Sequence, residues 1–224
     1  MTAKGTTADG TTADGTTAEG TTAAPVPAPD VPAAPVTVAD VRSVADLLAV
    51  TESGHRAKYL CFWKDEPRRD GPPGPGCLSQ WSPSPFTVDG VRYATAEHWM
   101  MAGKARLFGD EAARRRAIEG GHPKQAKDAG RSVRGFDEEV WRRERFALVV
   151  EGSVHKFSAH PELGAYLLST GTRVLVEASP LDRVWGIGLT ADDERARRPA
   201  DWRGLNLLGF ALMEARARLA AAAA

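Results

Sequence analysis

The sequence predicts a helix-rich α+β domain with a few short strands, on three observations. Several segments repeat apolar residues at the spacing of an amphipathic helix, with helix-start and helix-stop residues at their ends. Two short apolar arms flank Asp89 and Gly90, and an Asp-Gly pair between such arms is a strong β-hairpin signal. Two further short apolar runs without helical spacing suit buried strands.

Residues 1–38 are predicted to form a disordered tail. Residues 5–24 read GTTADGTTADGTTAEGTTAA, a repeat with no apolar face, and residues 25–35 are rich in Pro and Ala. Such a segment cannot bury enough apolar surface to offset the entropy lost on ordering. Apolar residues then recur at helical spacing, so residues 39–56 are predicted to be a linker with a short helix that could dock. Residues 57–221 are predicted to form one domain.

The predicted domain begins with a buried strand in YLCFW, residues 59–63, followed by a loop at 64–76 and the hairpin at 86–93. Thr95 is the expected N-cap of a helix that carries Glu97. Further helices are expected over residues 110–119, 123–129, 137–158, 161–169 and 205–220, with a second buried strand over 172–178. Gly120 and Gly130 are expected to end the first two of these helices, since glycine commonly follows a helix C terminus.

Charge and composition exclude several classes of function. The chain has 29 Lys+Arg and 29 Asp+Glu, and the predicted domain has a small basic surplus, which suits a local anion pocket better than bulk nucleic-acid binding. No signal peptide and no run of about 20 apolar residues is present, so a cytoplasmic protein without membrane spans is expected. Cys61 and Cys77 do not form a CxxC pair, which favours reduced thiols over a disulfide and disfavours a zinc site. Dinucleotide-fold, P-loop and HExxH motifs have no match.

Glu97 is the first candidate catalytic residue. It lies in YATAEHWMMAGKARLFGD, residues 93–110, in the first turn of the predicted helix, where free N–H groups favour a carboxylate. Lys104 follows seven residues later, nearly on the same helical face. A fixed carboxylate with a cation two turns away suits a phosphorylated sugar. From position alone, a capping carboxylate is the more common explanation of Glu97.

A second acidic and aromatic run, SPLDRVWGIGL at residues 179–189, contains Asp182, Trp185 and Gly186. An indole near a carboxylate can stack on a base while the acid contacts a hydroxyl or water, and glycines let a backbone approach a ligand. A turn-starting Asp with a core Trp explains the run equally well. Trp141 has helical spacing that is typical of a core residue, and Arg131 could bind phosphate or form a surface ion pair.

The ordered set of motifs is more specific than any member. It comprises WSPSPF at 81–86, AEHWMMAGKA at 96–105, LFGD at 107–110, AKDAGR at 126–131, FDEEVW at 136–141, KFSAHPEL at 156–163, LVEASPLDRVWGIG at 175–188 and NLLGFALMEAR at 206–216. Over residues 57–220 this set resembles the NADAR superfamily, also called YbiA-like.

The resemblance implies a YbiA-like α+β fold and N-glycosidase activity without a metal or cofactor. The implied substrates are the riboflavin-pathway intermediates 2,5-diamino-6-hydroxy-4-(5-phosphoribosylamino)pyrimidine and 5-amino-6-(5-phosphoribosylamino)uracil, each yielding ribose 5-phosphate and a free pyrimidine. Other members remove ADP-ribose from modified guanine, so ADP-ribosylated nucleic acid is a second implied substrate. Where riboflavin-linked members often have WGDG, this chain has WGIG, which bears on substrate choice.

The family's residues map onto this sequence position by position. Glu97 and Asp182 correspond to its acids, and its lysine, its Gly-Arg pair and its two tryptophans fall on Lys104, Gly130-Arg131, Trp141 and Trp185. The candidates for substrate binding are Phe86, Lys104, Arg131, Trp141, Trp185, Gly186 and Asn206. Glu97 is expected to activate water or stabilise the sugar cation, and Asp182 to hold a ribose hydroxyl or assist the leaving amine. The competing class is a module that binds ADP-ribose without turnover, and a purely structural protein is the third.

Overall fold

The computed structural model describes residues 38–64 and 71–223 of the 224-residue chain. The disordered tail predicted for residues 1–38 lies almost wholly outside these residues. The α-helices of the described part are α1 Val44–Glu52, α2 Ala96–Leu107, α3 Glu111–Glu119, α4 Pro123–Arg131, α5 Glu138–Ala159, α6 Pro161–Ser169 and α7 Leu207–Ala222. The strands are β1 Tyr59–Phe62, β2 Phe86–Val88, β3 Val91–Tyr93 and β4 Val174–Glu177. The helix-rich α+β fold is therefore confirmed.

The strands form two separate pairs. β2 and β3 form the predicted antiparallel hairpin, in which Asp89 and Gly90 have φ angles of 50° and 76°. Both angles lie in the left-handed region that a tight two-residue turn requires, which explains the Asp-Gly pair. β1 pairs with β4 in parallel, with Tyr59 opposite Val174 and Phe62 opposite Glu177. This long-range pair brings Glu177 to the carboxyl edge of the small sheet.

The core lies between α2, α5, α7 and β4. Its largest fully buried apolar side chains include Phe157, Leu167, Leu175, Leu208, Phe210 and Leu212. The indole of Trp99 on α2 crosses to α5, where its Nε1 donates to the carbonyl of Leu148 at 2.9 Å. A Cβ on Gly152 would lie 2.3 Å from the Trp99 ring, so glycine is needed there for α2 and α5 to pack together.

The short helix predicted in the linker is present and docks on the domain. Ser43 caps α1 by accepting from the backbone N–H of Asp46. Leu47 and Val50 of α1 join the main core, and Arg42 forms an ion pair with Glu214 of α7. Within the described residues, no helix has the length and apolar character needed to cross a membrane.

Gly130 does not end α4, which corrects the prediction made from the sequence. The helix continues to Arg131, and a Cβ on Gly130 would lie 2.1 Å from Met101 Sδ of α2. The glycine is therefore explained by the close packing of α4 on α2, not by a turn after the helix. As a result, Arg131 lies in the last turn of α4.

Candidate active site

A cavity of about 490 Å³ opens between α2, α4, the start of α5 and the segment that follows β4. Its acidic lining residues are Glu97, Glu138, Glu177 and Asp182; its basic ones are Lys104, Lys127, Arg131, Arg145 and Arg183; its aromatic ones are Trp81, Phe136, Trp141 and Trp185. A cavity of this size, with opposed charges and indole walls, suits a nucleotide-sized ligand.

The first turn of α2 fixes Glu97 at the cavity. The backbone N–H of Glu97 donates to the carbonyl of Gln80 at 3.0 Å, which ties the helix start to the preceding loop. The neighbouring His98 is buried, with Nδ1 2.8 Å from Thr95 Oγ1 and Nε2 2.8 Å from the carbonyl of Gly120. Because a carbonyl only accepts, His98 donates through Nε2 and accepts from the Thr95 hydroxyl. His98 thus anchors the turn, and Glu97 is left to face the cavity.

Glu97 is a buried carboxyl group with unused hydrogen-bonding capacity. Glu97 is 3% exposed, and no described group donates a hydrogen bond to its Oε1. Burial raises the pKa of Glu97 to about 7, and the nearby charge of Asp182 acts in the same direction. Lys127 and a hydrogen bond from the Trp81 side chain oppose that rise. A carboxyl with a pKa near neutrality can exchange a proton during a reaction.

Glu177 is a half-buried residue that supplies a second carboxyl to the cavity, and we did not predict it from the sequence. It ends β4, and no described group hydrogen-bonds to its Oε2. Burial raises the pKa of Glu177 to about 8, followed by the negative charges of Asp182 and Glu97, while Lys127 lowers it. A carboxylate at the carboxyl end of a buried strand was a usable signal, because ligands of parallel sheets bind at that end.

Asp182 lies in the turn after β4, and its own backbone holds it. Oδ1 accepts hydrogen bonds from the N–H groups of Val184 and Trp185, both at 2.8 Å. This arrangement fixes the carboxylate and orients Trp185, so the turn-starting role considered for Asp182 is present. Because both bonds use Oδ1, Oδ2 is left for a ligand in the cavity.

Lys104 and Arg145 lie at the end of the cavity that contains Glu138. Lys104 Nζ lies 4.1 Å from the ring centroid of Phe136 and 5.4 Å from that of Trp141. Burial lowers the pKa of Lys104 and that of Arg145, and Glu138 interacts with both cations. Arg145 Nε is buried and has no hydrogen-bond partner among the described residues. An anionic ligand would supply the missing acceptor.

The loop before β2 supplies Trp81, a cavity wall that we did not predict. Lys156 of α5 is fully buried, and its Nζ donates to the carbonyls of Cys77 at 2.7 Å and Ser79 at 2.9 Å. These bonds fix the chain immediately before Gln80 and Trp81. Lys127 Nζ then lies 6.0 Å from the Trp81 ring centroid, so one indole, one cation and Glu97 share this end of the cavity.

The structure brings six predicted site residues to one cavity: Glu97, Lys104, Arg131, Trp141, Asp182 and Trp185. Phe86 lies elsewhere, because its ring is buried against Tyr93, Trp99 and His155 in the core. The indole of Trp141, 7% exposed, is both a packed helical residue and a wall of the cavity.

Gly186 and Asn206 lie outside the cavity lining and contact the end of β4. The fully buried Asn206 donates through Nδ2 to the carbonyl of Leu175 and accepts at Oδ1 from the N–H of Glu177, both at 2.9 Å. A Cβ on Gly186 would lie 2.8 Å from the carbonyl oxygen of Glu177. Both residues therefore position the end of β4 and the following turn, and neither lines the cavity.

The acidic residues of the cavity are not arranged as a metal site. Within residues 38–64 and 71–223, no three His, Cys, Asp or Glu side chains converge as metal ligands. Cys61 and Cys77 are free thiols, and burial raises the pKa of both. The chemistry that the described side chains offer is proton transfer between carboxyl groups beside a cationic and aromatic pocket.

Comparison with known proteins identifies the family. A model of the NADAR domain matches residues 61–220. An N-glycosidase of Acanthamoeba polyphaga mimivirus is 42% identical over 144 residues, which is 62% of this chain and 85% of that protein. N-glycosidase YbiA of Escherichia coli is 32% identical over 145 residues, or 65% of this chain and 82% of that protein. The NMR structure of the E. coli protein YbiA matches with a TM-score of 0.60 at 28% identity, covering 75% of this chain and 89% of that one. The chain therefore belongs to the NADAR domain family.

Proposed function

We propose that this N-glycosidase hydrolyses the C–N bond of phosphoribosylamino-pyrimidine intermediates of riboflavin biosynthesis, releasing ribose 5-phosphate and a free pyrimidine. The relatives named above support hydrolysis of N-glycosyl bonds. One observation carries the proposal: four buried side-chain atoms lack a hydrogen-bond partner in the described residues, and all four belong to cavity residues. They are Gln80 Nε2, Glu97 Oε1, Arg145 Nε and Glu177 Oε2.

Unpaired buried groups are expensive, so their convergence indicates a polar ligand that satisfies them. Two of the four are carboxyl oxygens and two are N–H groups. The carboxyl oxygens suit the hydroxyls and water around a ribose, and Arg145 suits a phosphate. A nucleotide with one phosphate offers both ribose hydroxyls and a phosphate group within the length of one cavity.

Glu97 is assigned to the reacting carbon of the sugar. Breaking the C–N bond leaves an oxocarbenium-like ribose, which a nearby carboxylate stabilises. As the water attacks, Glu97 accepts its proton, which the pKa of about 7 permits. Asp182, held through Oδ1, presents Oδ2 to a ribose hydroxyl.

The phosphate is assigned to the end of the cavity that contains Lys104 and Arg145. Both cations lie beside Glu138, away from the cluster of Glu97, Glu177 and Asp182. Arg131 interacts electrostatically with Glu97, so it lies nearer the reacting end than the sequence suggested. The indoles of Trp81 and Trp185 would flank the pyrimidine.

The second candidate is hydrolysis of an ADP-ribosyl group from modified guanine in nucleic acid. One observation favours it: cations lie at both ends of the cavity, with Lys104 and Arg145 at one and Lys127 and Arg131 at the other. A substrate with one phosphate needs the cations at only one end of the cavity, whereas ADP-ribose has two phosphates. A module that binds ADP-ribose without turnover is the third candidate, although the four acidic residues of the cavity disfavour a polyanion that is only bound. The cytoplasmic location stays a prediction.

The test is a side-by-side assay of the wild type and Glu97→Gln on 5-amino-6-(5-phosphoribosylamino)uracil and ADP-ribosylated guanosine, with products identified by mass spectrometry. Glu111→Gln is the matched control, since Glu111 lies in the first turn of α3 but outside the cavity. Ribose 5-phosphate from the first substrate, lost only in Glu97→Gln, is expected. ADP-ribose from the second substrate alone would replace our proposal with the second candidate. Tight ADP-ribose binding by calorimetry without any product would establish the third.

A further inference from the structure

Hydrogen bonds hold the backbone of Glu177 on both sides. Its backbone N–H donates to Asn206 Oδ1 at 2.9 Å, and its carbonyl accepts from the N–H of Ile187 at 3.0 Å. The strand that it ends is paired with β1 opposite Phe62. With the backbone fixed on both sides, the side chain reaches the cavity, where Oε2 has no partner in the described residues. The fold thus fixes the position of this carboxyl and leaves its hydrogen-bonding capacity for a ligand.

The charges around Glu177 favour its neutral form. Asp182 on the following turn and Glu97 on α2 are negative neighbours, and Lys127 on α4 is the opposing cation. The adjacent elements contribute uncharged groups, Phe62 from β1 and the Asn206 amide before α7. Burial and the two carboxylates raise the pKa of Glu177 to about 8. Near neutral pH it therefore carries a proton. Glu97 instead lies in the first turn of α2 and accepts a hydrogen bond from the Trp81 side chain, and both features favour its ionised form.

We infer that Glu177 is the general acid that protonates the leaving nitrogen in the hydrolysis proposed above. The inference rests on that proposed function and adds the residue that serves the departing base. The carboxyl proton of Glu177 passes to the bridging amine, and the electron pair of the C–N bond moves to nitrogen as the bond breaks. Water adds to the sugar carbon and gives a proton to Glu97. Transfer of that proton from Glu97 to Glu177 restores the starting state.

Two carboxyl groups with separate roles explain why the cavity contains both. Glu97 must be ionised to accept a proton from water, whereas Glu177 must be protonated to assist an amine, which is a poor leaving group. Their mutual repulsion keeps one proton on the pair. Asp182, whose Oδ1 is occupied by two backbone N–H groups, is left for the sugar hydroxyl.

The test compares two substrates that differ in their need for an acid. The first is 5-amino-6-(5-phosphoribosylamino)uracil, and the second is 4-nitrophenyl riboside 5-phosphate, whose phenolate leaves without protonation. Relative to wild type, Glu177→Gln should lose about 100-fold or more of kcat/KM on the first substrate. It should stay within about threefold on the second, because protonation no longer matters. Glu97→Gln should fail on both.

Equal losses of Glu177→Gln on the two substrates, or no loss on the first, would overturn the assignment. Hydrolysis of neither substrate by the wild type would remove the proposed function itself, and with it the role of Glu177.

The pH dependence of the wild type provides a readout that does not depend on a variant. Its kcat/KM on the first substrate should fall above about pH 8, and this basic limb should be absent with the nitrophenyl substrate. The same basic limb on both substrates would contradict the assignment.

Discussion

Two regions of this protein bury ionisable groups, and the groups differ in whether their hydrogen bonds are satisfied. Behind the cavity, the ammonium of Lys156 is fully buried and donates to the carbonyls of Cys77 and Ser79. In the cavity, Glu97 and Glu177 each have one buried carboxyl oxygen without a hydrogen-bond partner among the described residues. Both arrangements shift a pKa through burial, down to about 8 for Lys156 and up for the two acids.

The difference separates a group that holds the fold from groups kept for a ligand. A buried ammonium that donates to two carbonyls stabilises the loop that it joins. A buried carboxyl oxygen that accepts no hydrogen bond costs stability. Such a cost is typical of functional sites. Burial alone therefore does not identify the candidate site. Buried polar atoms without a hydrogen-bond partner do identify it.

Neutralising Glu97 tests most directly whether its carboxyl is kept for a ligand. Glu97→Gln should lower kcat/KM by about 100-fold or more, because the group that accepts the proton from water is lost. The free energy of unfolding at pH 8 should stay equal or rise, since an unfavourable buried charge is removed. Steady-state kinetics and urea denaturation measure the two effects. A large loss of stability together with activity would place Glu97 with Lys156 as a structural residue.

Removing the ammonium of Lys156 should give the largest loss of stability. Lys156→Met leaves the carbonyls of Cys77 and Ser79 without their donor, and we expect a cost of about 2 to 4 kcal/mol. Urea denaturation measures it, with the exposed Lys58→Met as the matched control, which should stay within about 0.5 kcal/mol of the wild type. An equally small effect at Lys156 would show that its buried bonds contribute little.

The pH dependence of stability should distinguish the wild type from Glu177→Gln. The unfolded chain releases the Glu177 proton near pH 4.5, whereas the folded protein keeps it until about pH 8. Between these values the folded state binds the additional proton, so rising pH favours unfolding. From pH 5 to 7.5, the stability of Glu177→Gln relative to the wild type should therefore rise, by about 3 kcal/mol. Denaturation at several pH values tests this, and a difference that stays flat or falls would contradict it.

The smallest effect is expected at the cationic end of the cavity. Lys104→Met should raise KM about three- to tenfold with kcat nearly unchanged, because Arg145 keeps part of the phosphate interaction. Lys124→Met is the control, since Lys124 is exposed on α4 and paired with Asp128 outside the cavity. A loss in kcat with an unchanged KM would move Lys104 from binding to chemistry.

Local features of the fold could be predicted from the sequence, because their causes are local. The Asp89-Gly90 pair predicted the hairpin, and Asp137 and Pro161 marked helix starts that the structure confirms. Gly130 was misread for a physical reason. A glycine that ends a helix and one that admits a neighbouring helix look alike in one sequence, and only the contact with Met101 distinguishes them.

The site was predicted in part, and the residues that were missed share one cause. Glu97 lies in a helix first turn, and Asp182 precedes a Trp-Gly run, so local pattern and family resemblance were enough for both. Glu177, Trp81 and Lys127 reach the cavity only through tertiary structure. Their positions depend on the β1 and β4 pairing, the loop fixed by Lys156 and the packing of α4 on α2.

The pairing of β1 with β4 also limits how early the protein can finish folding during its synthesis. β1 leaves the ribosome before helices α2 to α6, and its parallel partner follows only after all of them. Closing such a long loop is slow, and an unpaired strand edge is a target for association with other chains. Until β4 arrives, the half-made protein carries an open edge and lacks Glu177. The cavity is therefore completed late, after most of the chain has been synthesised.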